Sequence, residues 1–182
     1  MRRYFNEKVL IYRIQQGDTE AFTAIYDHFI EKVYRFIYLK VPTQQDAEDI
    51  AGETFLKVWH HIANQKSVTH LQALIYSVAR NLVVDFYRKR GGTHIESIEE
   101  TEPVIADRVD LTLEEKMHLK TEMANVESAL RELKDTYREI IVLHFLNELS
   151  LTEIAHIVDR SPGAVRVILH RGLKALRSKM AS

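Results

Sequence analysis

The chain has 182 residues, 46% of them hydrophobic, with a formal net charge of −1 and no cysteine. That length allows one large or two small domains with buried cores, and the lack of cysteine excludes disulfides and thiolate zinc sites. No apolar run approaches the roughly 20 residues that span a bilayer, and the start MRRYFNEKVL lacks a signal peptide's apolar stretch, so a cytoplasmic protein without membrane insertion is expected.

Leu10 and Ile14 predict a short first helix that stops at Gly17. Asp18 then caps a longer one, in which Phe22, Ile25, Tyr26, Phe29, Val33, Phe36 and Ile37 recur at helical spacing until Pro42 ends it. Thr43 with Asp46 forms a capping box that opens a third helix, through about Ile62. Its inward stripe is Ala47, Ile50, Ala51, Thr54, Val58 and Ile62. Leu56 points away from that stripe, beside Asp49, Gly52, Glu53 and His60. An apolar residue among acids on an outward face fits a partner-binding patch, and fits ordinary surface equally well. Trp59, between the two faces, reads as core.

A fourth helix, from about Thr69, ends at Arg90 because Gly91-Gly92 follows. Ile75, Val78, Ala79, Leu82 and Phe86 face inward in this reading. Tyr76, Arg80, Val84, Tyr87 and Arg88 point outward, with Asn81 alongside and Lys89 and Arg90 at the end. Rings interleaved with cations suit a DNA strand whose bases have left the stack, because rings stack on bases while cations hold phosphates. The alternative is a helix that packs through its tyrosines and ends in cations that complement its dipole.

Charge is segregated along the chain. Residues 1–90 carry 13 Lys+Arg against 10 Asp+Glu, residues 91–115 carry 1 against 8, and residues 116–182 carry 11 against 8. Polyanion affinity depends on local basic faces, so the near-zero total excludes little. The acidic stretch has no helical periodicity and holds Pro103, as a linker without its own core would. Beyond it, Thr112 and Glu115 cap a helix through about Leu133, and Asp135 caps another through about Leu146.

Ser150 with Glu153 is a further capping box, starting a helix that carries Leu151, Ile154, Ala155 and Val158 on one face. After the turn Asp159-Arg160, Ser161 serves as cap and Pro162 takes the first helical position, where its missing N–H costs nothing. In this last helix Val165, Ile168, Leu169, Gly172, Leu173 and Leu176 form one apolar arc. Arg166, His170, Lys174 and Arg177 lie on the other side, with Arg171 and Lys179 beside them. From Ser161 to Ser182 there are five lysines and arginines and no acid. Two short helices at a tight turn, the second basic outside, form a helix-turn-helix suited to the DNA major groove.

The expected fold is all-α: two small helical domains, residues 1–91 and 116–182, joined by an acidic linker over residues 92–115, with the helix-turn-helix in the second. In order and spacing, DAEDIAGETFLKVW, IYSVARNLVVDFYRKR and LSLTEIAHIVDRSPGAVRVILHRGLKALR resemble the extracytoplasmic-function group of RNA polymerase sigma factors, across nearly the whole chain. The resemblance implies that Asp46, Asp49, Glu53 and Leu56 bind core RNA polymerase. It implies that Tyr76, Arg80, Asn81, Tyr87, Arg88, Lys89 and Arg90 recognise and melt the −10 element of promoter DNA. It assigns the −35 element to Ser161, Gly163, Arg166, His170, Arg171, Lys174 and Arg177, and the family brings the expectation of an anti-sigma protein as a further partner. The sequence departs from the family where Leu74 replaces a frequent tryptophan and where Ile168 and Leu173 replace frequent arginines, so promoter preference does not transfer.

Two other classes stand beside this reading. A two-domain repressor or activator would bind duplex DNA without polymerase and would leave the acidic patch without a role. An enzyme would need a catalytic or metal constellation, yet the nine histidines include no HExxH, and adjacent His60 and His61 diverge around a helix. No catalytic residue, metal or cofactor is therefore expected.

Overall fold

The computed structural model describes residues 6–64, 67–91 and 123–180. Every regular element among these residues is helical, and the chain divides into two compact units.

The N-terminal unit contains α1 (Glu7–Gln15), α2 (Thr19–Tyr38), α3 (Gln44–Ala63) and α4 (Leu71–Lys89). Each of the first three starts at a side chain that accepts from the first turn, as the free N–H groups of a helix start demand. Asn6 accepts from the Val9 amide. Asp18 Oδ1 accepts from the Glu20 and Ala21 amides at 3.0 and 3.2 Å, while Oδ2 takes the Arg13 Nε–H at 2.8 Å. One carboxylate thus fastens the end of α1 to the start of α2, across a turn in which Gly17 holds φ at 89°. Thr43 Oγ1 accepts from the Asp46 amide at 3.1 Å and donates to Asp46 Oδ2 at 2.7 Å, the expected capping box. The fourth start, expected near Thr69, falls at Leu71: His70 supplies no side-chain cap, and fully buried Leu71 sets the boundary through packing.

Buried Ile25, Phe29, Val33, Phe36 and Ile37 of α2 meet α3, which also packs against α4. Phe55, outside the expected stripe of α3, is buried in an aromatic seam with Tyr26 at 4.8 Å and Phe22 at 6.5 Å between centroids. Trp59, expected as core, is half-buried and joins the edge of the seam at 5.1 Å from Phe22.

In the C-terminal unit, residues 123–131 are helical (α5); the expected start at Thr112 and Glu115 and the acidic linker lie outside the described residues. The next helix, α6 (Asp135–Ile141), is capped at Lys134, so Asp135 is its first residue and not its cap; there its carboxylate still faces the positive end of the helix. The helix then widens into a π-helical turn, Val142–Leu146, where the Asn147 amide donates five residues back to Val142 at 3.1 Å. Nothing in the residue spacing announces this turn. It delivers Glu148 at φ 59° and places His144 Nδ1 2.9 Å from the Leu149 carbonyl; a carbonyl only accepts, so that nitrogen carries the proton.

Both expected caps of the helix-turn-helix are present. Glu153 Oε2 accepts from the Ser150 amide at 2.8 Å and Ser150 Oγ accepts from the Glu153 amide at 3.3 Å, opening α7 (Leu151–Val158). Asp159, at φ 52°, turns the chain, and Ser161 Oγ accepts from the Ala164 amide at 3.2 Å to open α8 (Pro162–Met180). The last helix lies close to α6 at Gly172, where an added Cβ would stand 3.1 Å from Ile141 Cδ1 and 3.2 Å from Tyr137 Cβ.

Two outcomes follow from this packing. Gly172→Val puts a branched side chain where even a Cβ is crowded by Ile141 and Tyr137, and is expected to destabilise the C-terminal unit by about 1–3 kcal/mol in urea unfolding of the full chain. The Arg13 guanidinium bonded to Asp18, with the Ala21 and Glu20 amides, holds that carboxyl below its usual value of 3.8. Its stabilisation is therefore complete above the unfolded value and is lost as pH falls through the lowered folded one. Asp18→Asn is expected to lower the urea midpoint of the N-terminal unit at neutral pH and to converge with the parent protein in acid.

Candidate nucleic-acid interface

Seating on α6 decides which side of α8 remains outside. Val165, Leu169 and Gly172 are buried, Ile168, Leu173 and Leu176 are half-buried, and Gly163, Arg166, His170, Arg171, Lys174 and Arg177 are exposed. Ser161 is exposed as well, although its hydroxyl is engaged as the cap. Lys179 is ion-paired with Glu132 at 2.6 Å. The expected basic face is therefore assembled. It also contains Val167, 48% exposed, which a reading guided by cations passed over. The signal was available: at about 100° per residue Val167 falls opposite the buried arc.

The outward face of α4 is narrower than expected. Tyr76, expected to point outward as a −10 contact, is fully buried with its ring edge-on to Phe36 at 5.5 Å. The correction has a packing cause: α4 meets α2 as well as α3, so its buried arc widens to take in Leu71, Ile75, Tyr76, Ala79, Leu82 and Val83. Tyr87 is half-buried, and its hydroxyl donates to the Lys40 carbonyl at 2.6 Å, anchoring the end of α4 to the α2–α3 turn. Both tyrosines thus serve packing. Val78 and Phe86, expected inward, are half-buried.

What remains outside on α4 is Asn81, Val84, Arg88, Lys89 and Arg90, with Arg80 half-buried. Arg88 pairs with Asp85 at 3.1 Å, and the Arg90 guanidinium lies over the Phe86 ring at 4.4 Å.

On α3, Asp49 and Glu53 are exposed and Leu56 is 56% exposed, as the expected patch requires. Asp46 is half-buried: one oxygen takes the Thr43 hydroxyl and the other lies 3.4 Å from Arg90, so this carboxylate is largely committed within the fold. Lys57, 3.0 Å from Glu53, puts a cation into the patch that the sequence reading left out. The start of α3 lies beside the end of α4, and a shallow groove of about 330 Å³ is lined by Asp46, Asp49 and Glu53 on one side and Asp85, Lys89 and Arg90 on the other. Acids at a helix start beside cations at a helix end complement both dipoles, which brings two separately predicted surfaces into one.

Among the described residues no three His, Asp or Glu side chains form a candidate metal site, and no helix is long and apolar enough to cross a membrane.

Residues 25–93 match the family model for sigma-70 region 2, and residues 123–176 match sigma-70 region 4. The ECF RNA polymerase sigma factor SigW of Bacillus subtilis is 32% identical over 95% of this chain and 96% of its own length. BldN of Streptomyces coelicolor, also an ECF sigma factor, is 30% identical over 92% of this chain and 63% of its own length. The fold is similar to that of the sigma factor RpoE of Bartonella quintana, solved with the anti-sigma factor NepR: TM-score 0.71, 21% identity, covering 90% of this chain and 98% of that one. With both region models in order and SigW similar from end to end, this chain belongs to the extracytoplasmic-function RNA polymerase sigma factors of the sigma-70 family.

Proposed function

We propose a division of labour within a sigma factor that binds core RNA polymerase and directs promoter-specific initiation. Residues 1–91 hold the polymerase and engage the −10 element, residues 92–115 act as the tether, and residues 116–182 read the −35 element. The observation that carries this is the outward face of α8, which presents Arg166, His170, Arg171, Lys174 and Arg177 with no acid among them. A recognition helix offers such a face to the major groove. The polymerase contact falls to Asp49, Glu53 and Leu56, with Asp46 acting through the α3 cap. The −10 contact falls to Arg80, Asn81, Val84, Arg88 and Lys89. Arg90, held against Asp46 and Phe86, ties the two surfaces together.

Neither DNA surface is large, so affinity of the free chain is weak and dominated by phosphates. Core enzyme fixes the spacing of two tethered weak sites and so raises their joint strength. The chain performs no chemistry of its own and works in the cytoplasm with the polymerase. The RpoE complex with NepR supports adding an anti-sigma protein to the partners of this chain.

The decisive experiment mixes the chain with core polymerase and a promoter library and sequences the transcripts; initiation no better than core enzyme alone would sink the reading. Tight, sequence-specific gel-shift binding by the chain alone would instead favour a polymerase-independent regulator. Reversing both Asp49→Lys and Glu53→Lys is expected to weaken core binding about tenfold, equivalent to ~1.4 kcal/mol, in a titration with labelled chain. On duplex DNA, Arg166→Ala and Lys174→Ala are each expected to lower the slope of log affinity against log salt by about 1.

A further inference from the structure

Val167 is half-exposed among the cations on the outward face of α8, a position that needs a reason. Scattered exposed apolar residues are ordinary, but this one has exposed, non-acidic neighbours at helical spacing on its face. Gly163 lies one turn before it, His170 and Arg171 one turn after, and Lys174 two turns after. An added Cβ at Gly163 would meet nothing within 4 Å, so the approach to Val167 from the helix start is open. The residue also sits in the first third of the helix, the part of a recognition helix that reaches base edges.

We propose that Val167 is a specificity-determining residue that reads the C5-methyl group of a thymine in the −35 duplex; this rests on the assignment of α8 to the major groove. The chemistry selects the ligand. Valine can neither donate nor accept a hydrogen bond, and the thymine methyl is the apolar group on the major-groove edges. Cytosine presents an amino donor, and guanine and adenine present acceptors, which lose water against two methyls and gain no partner in return. The surrounding cations hold phosphates and set the register, while Val167 supplies selectivity at one base pair.

The test uses holoenzyme assembled from the full chain and core polymerase, on a promoter taken from the library. Each thymine of the −35 duplex is replaced in turn by deoxyuridine, which removes the methyl and leaves the hydrogen-bonding edge intact. Open-complex formation is expected to weaken about fourfold at one position, the worth of one buried methyl, and Val167→Ser is expected to abolish the difference there. Val167 is on the surface, so the serine variant keeps the fold, checked by its unfolding midpoint. Equal activity of thymine and deoxyuridine at every position, or discrimination that survives Val167→Ser, overturns this inference while the sigma-factor reading stands. A holoenzyme that initiates on no promoter, before any methyl is removed, overturns both.

Discussion

A long helix has one circumference to divide between its own core and any partner, and the number of helices packed against it sets the division. In this protein α4 meets both α2 and α3, which widens its buried arc and draws Tyr76 inside. The last helix packs chiefly on α6, which leaves a broad outward face. The contact at Gly172 makes that possible: without a side chain there, α8 settles against Tyr137 and Ile141 and buries only Val165, Leu169 and their flanking neighbours. The same constraint explains why the basic face of α8 is continuous while that of α4 is short and confined to its end.

The arrangement of charge follows from the same packing. With the start of α3 beside the end of α4, acids and cations that the linear sequence separates by some forty residues meet across one groove. The ion pair between Asp46 and Arg90 is partly exposed and is worth less than about 1 kcal/mol to stability. Its consequence is for function: the surface assigned to polymerase and the surface assigned to the −10 element share a border, so a perturbation of one reaches the other.

The relation between packing and recognition also explains the roles of the two anchoring tyrosines. The Tyr76 ring fixes α4 against Phe36 of α2 and the Tyr87 hydroxyl fixes it to the Lys40 carbonyl, which holds the neighbouring Asn81, Val84 and Arg88 on a rigid support. Contacts carried by rigid helices are better positioned than contacts carried by loops. Of the rings on α4, Tyr76 is fully buried and Phe86 and Tyr87 are half-buried, so little aromatic surface is left for stacking on unpaired bases.

Helix positions, the caps at Asp18, Thr43, Ser150 and Ser161, and the basic side of α8 were legible in the residue order, because they depend on local hydrogen bonds and on a period of about 3.6 residues. Order and spacing of three motifs were enough to place the chain in its family. Tertiary contacts decided the rest. Periodicity states that one side of a helix is apolar but not how many neighbours it will meet, so the fate of Tyr76, the burial of Phe55 and the half-burial of Asp46 were hidden. The π-helical turn at Val142–Leu146 was hidden as well, because five-residue hydrogen bonding leaves no mark in composition. Val167 belongs between the two: its direction follows from helix geometry, and only the packing of α8 reveals that nothing among the described residues covers it fully.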